Sequence, residues 1–379
     1  MTDGQAGKGN VWLARLVKAM TLVVIATAGA VAWLWLGGSA PTQSSDYVLA
    51  CVAGADNSAL NLYLMDEHGR ELAHLADAEA YHVPLAWSPD GKRLATARFG
   101  GRDAGLYLVE WEDGVPREQQ LIAASGFLPS GAAWSADGGR LAVLGSPTQG
   151  GAGASSMLAV CAMPAASCQA NPLPIRSFEA GGGLSWTPDG AALIFTGIVT
   201  TEEPPSAQGL FAPLRYEVAT GALQRMALNG LSATVSAQGL IAYVTVPPEA
   251  PGIWTMSAGG TPPNLLGELD TQGSWSSNLS WSPDGNLLAS LTDDDGSSTL
   301  GIWSPREGLL AEYPAPYEER HASYLLAWSP DGRFVSYTLY AGESGTTLVI
   351  VDVSTGATDM WPLEPGLLRG HALWRPGEH

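Results

Sequence analysis

Basic residues are scarce in this chain, and charged residues of both signs are few. Of its 379 residues only 18 are Lys or Arg, against 37 that are Asp or Glu, and the net charge is −19 at pH 7. This balance repels phosphate backbones, so we expect no nucleic-acid partner. Charged residues make up 15% of the chain and hydrophobic residues 46%. Such a composition is typical of a globular protein and unlike that of a disordered chain.

Catalytic and cofactor-binding signatures are also missing. The sequence contains no G-x-S-x-G, H-E-x-x-H, P-loop or dinucleotide-binding pattern. We therefore expect a non-catalytic protein that holds no cofactor.

The chain contains a single long hydrophobic run. Residues 19–36 (AMTLVVIATAGAVAWLWL) carry no charge over about 18 positions, which is near the length of a transmembrane helix. Three basic residues precede the run, so the positive-inside rule predicts a cytoplasmic segment over 1–18, a transmembrane signal anchor over 19–36 and an extracytoplasmic remainder. A cleaved signal peptide is the alternative. Residues 37–46 are a short polar linker in either case.

Glycine and proline are abundant, and they mark a repeat. The chain has 46 Gly and 26 Pro, and both residues recur in a ten-residue phrase built around W-S-P-D-G. Successive copies are 46 to 52 residues apart, a period typical of one four-stranded propeller blade. The copies begin at Ala86 (AWSPDGKRLA), Ala133 (AWSADGGRLA), Ser185 (SWTPDGAALI), Ser280 (SWSPDGNLLA) and Ala327 (AWSPDGRFVS), with a degenerate copy at Thr234 and a truncated one at Leu373.

Each copy predicts a strand, a tight turn and a second strand. Pro pre-sets one backbone angle, Asp bonds its local backbone, and Gly adopts the left-handed angle that a hairpin needs. A third strand and a Gly-marked hairpin into a fourth strand follow in most periods. The predicted fold class is therefore all-β, with four antiparallel strands per period.

The number of periods predicts a closed ring. Six full periods run from Trp87 to about Gly370, residues 47–76 hold three more strands, and Leu373 and Trp374 supply a first strand. Pairing of the last strand with those three would close a seven-bladed β-propeller over 47–379 and remove the edges of an open sheet. The blade tryptophans are expected in the core between neighbouring sheets: Trp87, Trp134, Trp186, Trp281, Trp328 and Trp374.

The W-S-P-D-G phrase resembles the WD-like repeats of TolB-like propellers. The resemblance covers about residues 47 to 375 and implies a periplasmic or extracellular propeller that acts as a binding scaffold. TolB itself carries a separate N-terminal α/β domain, whereas here only the predicted helix and linker precede the repeats. Similar repeats also form the propeller halves of prolyl-oligopeptidase-type hydrolases.

Two cysteines are close together in the sequence. Cys161 and Cys168 would lie in an oxidising compartment. A hairpin between third and fourth strands can bring them together, and a disulfide there would stabilise the fold by about 2 to 3 kcal/mol. Two reduced, buried thiols are the alternative.

The loops of such a propeller divide between two faces. Turns between first and second strands and between third and fourth strands lie on one face and are nearly uniform, whereas the loops on the other face vary. Binding function usually resides in variable loops on a rigid scaffold. We expect an unknown protein or cationic ligand of the cell envelope to bind there, at acidic residues that favour a positive partner: Glu202, Glu203, Glu249, Asp293, Asp294, Asp295 and Glu343. A purely structural role in the envelope is a further alternative.

Three histidines raise the possibility of a metal site. His82, His321 and His371 lie at the start of three consecutive blades, near the expected mouth of the axial channel. With a nearby carboxylate they could hold a divalent metal, which would make the protein a metal-assisted lyase or hydrolase of a small molecule. Their unequal distances from the blade tryptophans favour three unrelated loop histidines instead. The acidic run that ends at Gly296 lacks the closing glutamate of an EF-hand and is expected to be a hairpin turn.

Overall fold

The structure is a computed structural model. It describes residues 48–53, 61–66, 70–76, 80–100, 103–112, 115–123, 127–147, 155–163, 167–178, 183–199, 211–245, 251–260, 262–269, 277–294, 297–315, 321–322, 326–340, 346–362 and 372–377. The predicted cytoplasmic segment, signal anchor and linker lie outside these ranges. Among the residues described, no helix is both long and apolar enough to cross a bilayer.

The described chain forms seven antiparallel sheets, and in six of them the strands follow one another in chain order. The first three strands are β1 (Val48–Ala53), β2 (Asn61–Asp66) and β3 (Glu71–Leu75). Blade 1 contains β4 (Ala80–Trp87), β5 (Arg93–Gly100), β6 (Gly105–Glu112) and β7 (Val115–Ala123). Blade 2 contains β8 (Leu128–Trp134), β9 (Arg140–Ser146), β10 (Met157–Ala162) and β11 (Ser167–Pro172). Blade 3 contains β12 (Ile175–Phe178), β13 (Ser185–Trp186), β14 (Ala192–Val199), β15 (Ala212–Glu217) and β16 (Leu223–Arg225).

The remaining blades repeat this order. Blade 4 contains β17 (Leu231–Val235), β18 (Leu240–Thr245), β19 (Gly252–Ser257) and β20 (Asn264–Glu268). Blade 5 contains β21 (Ser277–Trp281), β22 (Leu288–Asp294), β23 (Ser297–Ser304) and β24 (Gly308–Pro314). Blade 6 contains β25 (His321–Ala322), β26 (Ala327–Trp328), β27 (Phe334–Tyr340), β28 (Thr346–Asp352) and β29 (Thr358–Pro362). The last strand is β30 (Ala372–Trp374).

The two ends of the described chain share blade 7. Strand β30 pairs with β1, with Leu49 opposite Trp374 and Cys51 opposite Ala372, so the sheet order is β3-β2-β1-β30. The first strand of each blade contacts the first strand of a neighbouring blade around the ring, including β30 against β4. The predicted all-β, seven-bladed propeller with paired terminal strands is therefore confirmed. The predicted N-terminal helix falls outside the described residues.

The middle strands of a blade are buried on both faces, because each blade is covered by a neighbour on either side. In β6 the five residues from Gly105 to Val109 are all buried, whereas the outer strand β7 is mostly exposed. Leu106 and Leu108 of β6 belong to one apolar cluster with Phe127 and Leu141 of blade 2. The hydrophobic core is thus a series of clusters between sheets.

The repeated phrase builds the same turn in five blades. In blade 1 the Ser88 hydroxyl donates to Asp90 Oδ1 at 2.5 Å, and the same oxygen accepts from the Lys92 amide at 3.1 Å. The Arg93 amide donates to Ser88 Oγ at 2.9 Å, while Gly91 takes a φ of 66° that other residues rarely adopt. The corresponding hydroxyl and carboxylate pairs are Ser135 and Asp137, Thr187 and Asp189, Ser282 and Asp284, and Ser329 and Asp331.

The six blade tryptophans are buried, with exposed fractions of 7 to 9%. Most of their indoles also bond across to the preceding blade. Trp134 Nε1 donates to the carbonyl of Ala86 at 3.3 Å, and Trp186 Nε1 donates to that of Ala133 at 2.9 Å. Trp281 and Trp328 repeat this contact with Thr234 and Ser280. Trp374 differs, because its Nε1 donates to the Ser336 hydroxyl at 2.9 Å, which in turn donates to the Ala327 carbonyl.

Cys161 and Cys168 form a disulfide. They lie directly opposite each other on β10 and β11, the third and fourth strands of blade 2. The disulfide therefore joins an inner strand to the outer edge of its own blade.

Candidate functional site

The strand order separates the connections between two rims of the propeller. We call the rim that carries the first-to-second and third-to-fourth connections the turn face, and the opposite rim the variable face. In blade 1 the turn face holds the connection from Trp87 to Arg93, and the variable face holds the one from Gly100 to Gly105. Each face is therefore formed by different connections of every repeat.

The turn face uses its carboxylates internally. The Ser282 hydroxyl and the Asn286 amide both donate to Asp284 Oδ1, and these hydrogen bonds lower the pKa of Asp284. The same two kinds of bond, from Ser135 and the Gly139 amide, lower the pKa of Asp137. These groups are ionised at neutral pH, and each is bonded within its own hairpin, Asp137 through Oδ1 and Asp284 through both oxygens.

Three arginines of the turn face stack on the tryptophan of the following blade. The Arg93 guanidinium lies 4.8 Å from the centre of the Trp134 ring, and that of Arg140 lies 4.5 Å from Trp186. Arg375 lies 5.7 Å from Trp87. Such cation–π contacts orient the guanidinium plane as well as stabilising the junction between blades.

An open cleft lies between blades 1 and 2 on the turn face, beside the contact between Arg93 and Trp134. Its lining carries two positive and two negative side chains in addition to turn backbone. The lining residues are Pro89, Asp90, Lys92, Arg93, Ala136, Asp137 and Gly138.

The acidic residues predicted as a binding surface fall at the variable face. Asp293 and Asp294 end β22 and pair with Ser298 and Ser297 of β23, so this run continues a hairpin, as predicted. Their side chains lie outside the described part of the structure. The other predicted residues lie outside the described residues altogether. By their sequence positions they belong to connections between second and third strands: Glu202, Glu203, Glu249, Asp295 and Glu343.

His82 is the one predicted metal ligand whose side chain is described. It lies within β4 and is 2% exposed, so it is not the solvated loop residue that the sequence suggested. Its Nδ1 is 3.0 Å from Thr96 Oγ1, and its Nε2 is 3.0 Å from Glu118 Oε1, although the ring nitrogen is not aligned for a hydrogen bond to that oxygen. Tyr107 meets the ring edge-on, with ring centroids 5.7 Å apart.

The partners of His82 come from three different strands of blade 1. Thr96 lies on β5, Tyr107 on β6 and Glu118 on β7. The Tyr107 hydroxyl donates to the Asp103 carbonyl at 2.6 Å, which ties this polar group to the connection at the variable face. No sequence signal marked Glu118 as a partner, because the contact depends on the packing of four strands.

The predicted metal trio is not assembled by the described residues. Only the backbone of His321 is described, and His371 lies outside the described residues. Within the described part of the chain no three His, Cys, Asp or Glu side chains form a group that could hold a metal ion. The metal site therefore stays a prediction.

Comparisons with known proteins show similarity of structure alone. No family model and no curated protein sequence matches the chain. The structure of puromycin hydrolase (S511A mutant, complexed with PGG) is similar, with a TM-score of 0.62 and 16% identity over 86% of this chain and 53% of the hydrolase. Oligogalacturonate lyase in complex with manganese has a TM-score of 0.54 and 14% identity over 82% of this chain and 83% of the lyase.

TolB from Acinetobacter baumannii is also similar, with a TM-score of 0.48 and 20% identity over 72% of this chain and 65% of TolB. The common feature is the fold. The seven described blades and their repeated turns confirm the predicted propeller of WD-like repeats. The chain spans 65% of the length of TolB and 53% of that of the hydrolase.

Proposed function

We propose that this protein is a membrane-anchored, extracytoplasmic scaffold that binds a basic protein through its variable face, without catalysis. The observation that carries the proposal is the difference between the two rims. On the turn face the repeated carboxylates bond within their own turns, as Asp137 does with Ser135. The acidic residues of the variable face belong to connections whose length and sequence differ from blade to blade.

Charge explains why a basic partner suits this face. The part of the chain after residue 36 has a net charge of −21, and many of its acids fall in the variable connections. An individual exposed ion pair contributes only about 0.2 to 1 kcal/mol. A field of like charges also steers a positive partner and raises its association rate, which falls as salt is added.

The anchor in this proposal rests on the sequence. The uncharged run over 19–36 has the length of a membrane helix, and the basic residues before it favour export of the propeller.

Charge neutralisation on each face tests the binding surface. The variable-face variant carries Glu202→Gln, Glu203→Gln, Asp294→Asn and Asp295→Asn. The matched control removes four charges from exposed positions on the turn face and outer strands, through Glu110→Gln, Glu307→Gln, Glu312→Gln and Asp359→Asn. Both variants change the net charge equally.

A lysine-rich peptide serves as the probe, and its binding is measured against salt concentration. The proposal predicts weaker binding and a smaller salt dependence for the variable-face variant than for the control. Equal losses in the two variants would show that only net charge matters and would contradict a binding surface on the variable face.

A further inference from the structure

The chain enters the propeller on the turn face. Strand β1 begins at Val48, and its second residue, Leu49, pairs with Trp374 at the end of β30. In the other blades the corresponding tryptophan is followed by the turn-face hairpin, as Trp87 is before Arg93. The predicted linker over 37–46 therefore leads to this rim. At about 3.3 to 3.6 Å per residue, it spans at most about 35 Å.

The cleft between blades 1 and 2 opens on the same rim, and Arg93 is its distinctive residue. Of the three stacked arginines, Arg140 donates through Nη2 to the Gly190 carbonyl at 2.8 Å, and Arg375 donates through Nε to the Gly91 carbonyl at 2.5 Å. Arg93 is held over Trp134 in the same way, but no described residue accepts a hydrogen bond from its guanidinium. Its donors are therefore oriented, with the Asp90 carboxylate nearby, and can bind a ligand.

The charges that line the cleft are balanced. Lys92 and Arg93 supply two cations, and Asp90 and Asp137 supply two carboxylates. Each carboxylate directs Oδ1 into its own turn, where a hydroxyl and an amide bond it. A purely anionic ligand would meet the arginine and lysine but also both carboxylates. A ligand with a phosphate and an ammonium group would match both signs.

We infer that this cleft binds the phosphoethanolamine headgroup of a lipid in the membrane that anchors the chain. Arg93 and Lys92 bind the phosphate, and Asp90 and Asp137 accept hydrogen bonds from the primary ammonium. The turn face then lies against the bilayer, and the variable face is presented away from it. This inference rests on the proposed anchor, because a short tether keeps the cleft at a high effective concentration near the lipid surface.

The charge distribution supports the same orientation. The variable connections carry many of the acids of the sequence, including Glu202, Glu203 and Asp295. A negatively charged membrane surface repels that face and favours the approach of the other.

The test uses the full chain in nanodiscs. A fluorophore is attached through Ala219→Cys, an exposed turn-face position, or through Ser146→Cys, an exposed position at the variable face, both in a Cys51→Ser background. Quenching by headgroup-labelled lipid reports which face lies near the bilayer. The nanodiscs contain phosphatidylcholine alone, phosphatidylcholine with phosphatidylethanolamine, or phosphatidylcholine with phosphatidylglycerol.

The inference predicts stronger quenching at Ala219 than at Ser146, and the strongest quenching with phosphatidylethanolamine. The primary ammonium of phosphatidylethanolamine donates hydrogen bonds, whereas the trimethylammonium group of phosphatidylcholine has no N–H to donate. Arg93→Gln and Asp137→Asn should each reduce the ratio of docked to undocked protein about tenfold. The controls Arg306→Gln and Glu307→Gln make the same charge changes on the turn face of blade 5 and should leave that ratio unchanged.

Lys92→Gln provides a second variant in case Arg93→Gln disturbs the Trp134 contact, because Lys92 is exposed. Equal quenching in phosphatidylcholine and phosphatidylethanolamine would overturn the inference. So would strongest quenching with phosphatidylglycerol that Asp137→Asn leaves unaffected. Protein that does not elute with the nanodiscs would refute the anchor and the inference together. Protein that elutes with the nanodiscs but is quenched equally in all three lipid mixtures would refute the inference and leave the anchor standing.

Discussion

The indole Nε1 of Trp87 lies 3.3 Å from the carbonyl oxygen of Leu373, a residue 286 positions further along the chain. Trp87 ends the first strand of blade 1, and Leu373 lies on the strand that completes blade 7. The bond therefore crosses the junction where the ring closes. It is the same contact that Trp134, Trp186, Trp281 and Trp328 make with the blades before them.

Trp87→Phe should destabilise the propeller by about 1 to 3 kcal/mol, because the partly buried Leu373 carbonyl loses its indole donor. The measurement is urea unfolding followed by circular dichroism. Trp361→Phe is the matched control, since the Trp361 indole bonds Asp359 on an outer strand. We expect the control to change the free energy of unfolding by less than about 0.5 kcal/mol. Equal effects of the two substitutions would contradict a special role for the closing contact.

Asp284 should make stability depend on pH in the acid range. Hydrogen bonds from Ser282 and Asn286 lower its pKa from the usual value of 3.8. A lowered folded-state pKa means that the stabilisation is fully present above the unfolded-state pKa and is lost as the pH falls through the folded-state pKa. The difference in free energy of unfolding between the native chain and Asp284→Asn should therefore be constant above about pH 5 and shrink below about pH 4. A difference that does not change with pH would contradict this role of the carboxylate.

The disulfide between Cys161 and Cys168 closes a short loop, with a sequence separation of 7. Reduction should lower the free energy of unfolding by about 2 to 3 kcal/mol. The measurement is unfolding with and without dithiothreitol. The double variant Cys161→Ala and Cys168→Ala should be insensitive to the reductant. Loss of stability in the double variant on adding reductant would point to another cause.

A non-catalytic scaffold should be purified without a stoichiometric metal. Mass spectrometry on protein made without a metal-binding tag measures the content, and thermal unfolding with and without chelator checks its effect. We expect substoichiometric metal and an unchanged unfolding temperature. Stoichiometric zinc, manganese or calcium that is lost in His321→Ala would instead support the metal-assisted enzyme.

The sequence predicted the blades well because each W-S-P-D-G phrase encodes a complete local structure. Ser88, Asp90 and Gly91 bond or bend within one hairpin, so the phrase alone locates the first two strands. Even the degenerate copy in blade 4 fits, with Val235 in the tryptophan position and its amide 3.2 Å from Ser185 Oγ of blade 3.

Other features depend on packing between elements and were not predictable from local patterns. The first strand of blade 3 is divided into β12 and β13, which pair with separate parts of β14. The approach of Glu118 to His82 needs all four strands of blade 1 in place. The stacking of Arg93 on Trp134 needs two neighbouring blades. Sequence patterns therefore located the rims, while the contacts at each rim required the assembled ring.

Photo-crosslinking in intact cells tests the account most directly, because it asks which rim of the anchored propeller contacts a protein partner. A photoreactive residue is placed at Ser146 on the variable face or at Ala219 on the turn face, both of which are exposed. We predict protein adducts from Ser146 that diminish when Glu202, Glu203, Asp294 and Asp295 are neutralised, and no such adducts from Ala219. Protein adducts from Ala219 alone, or adducts from Ser146 that survive neutralisation, would contradict binding of a basic protein at the variable face.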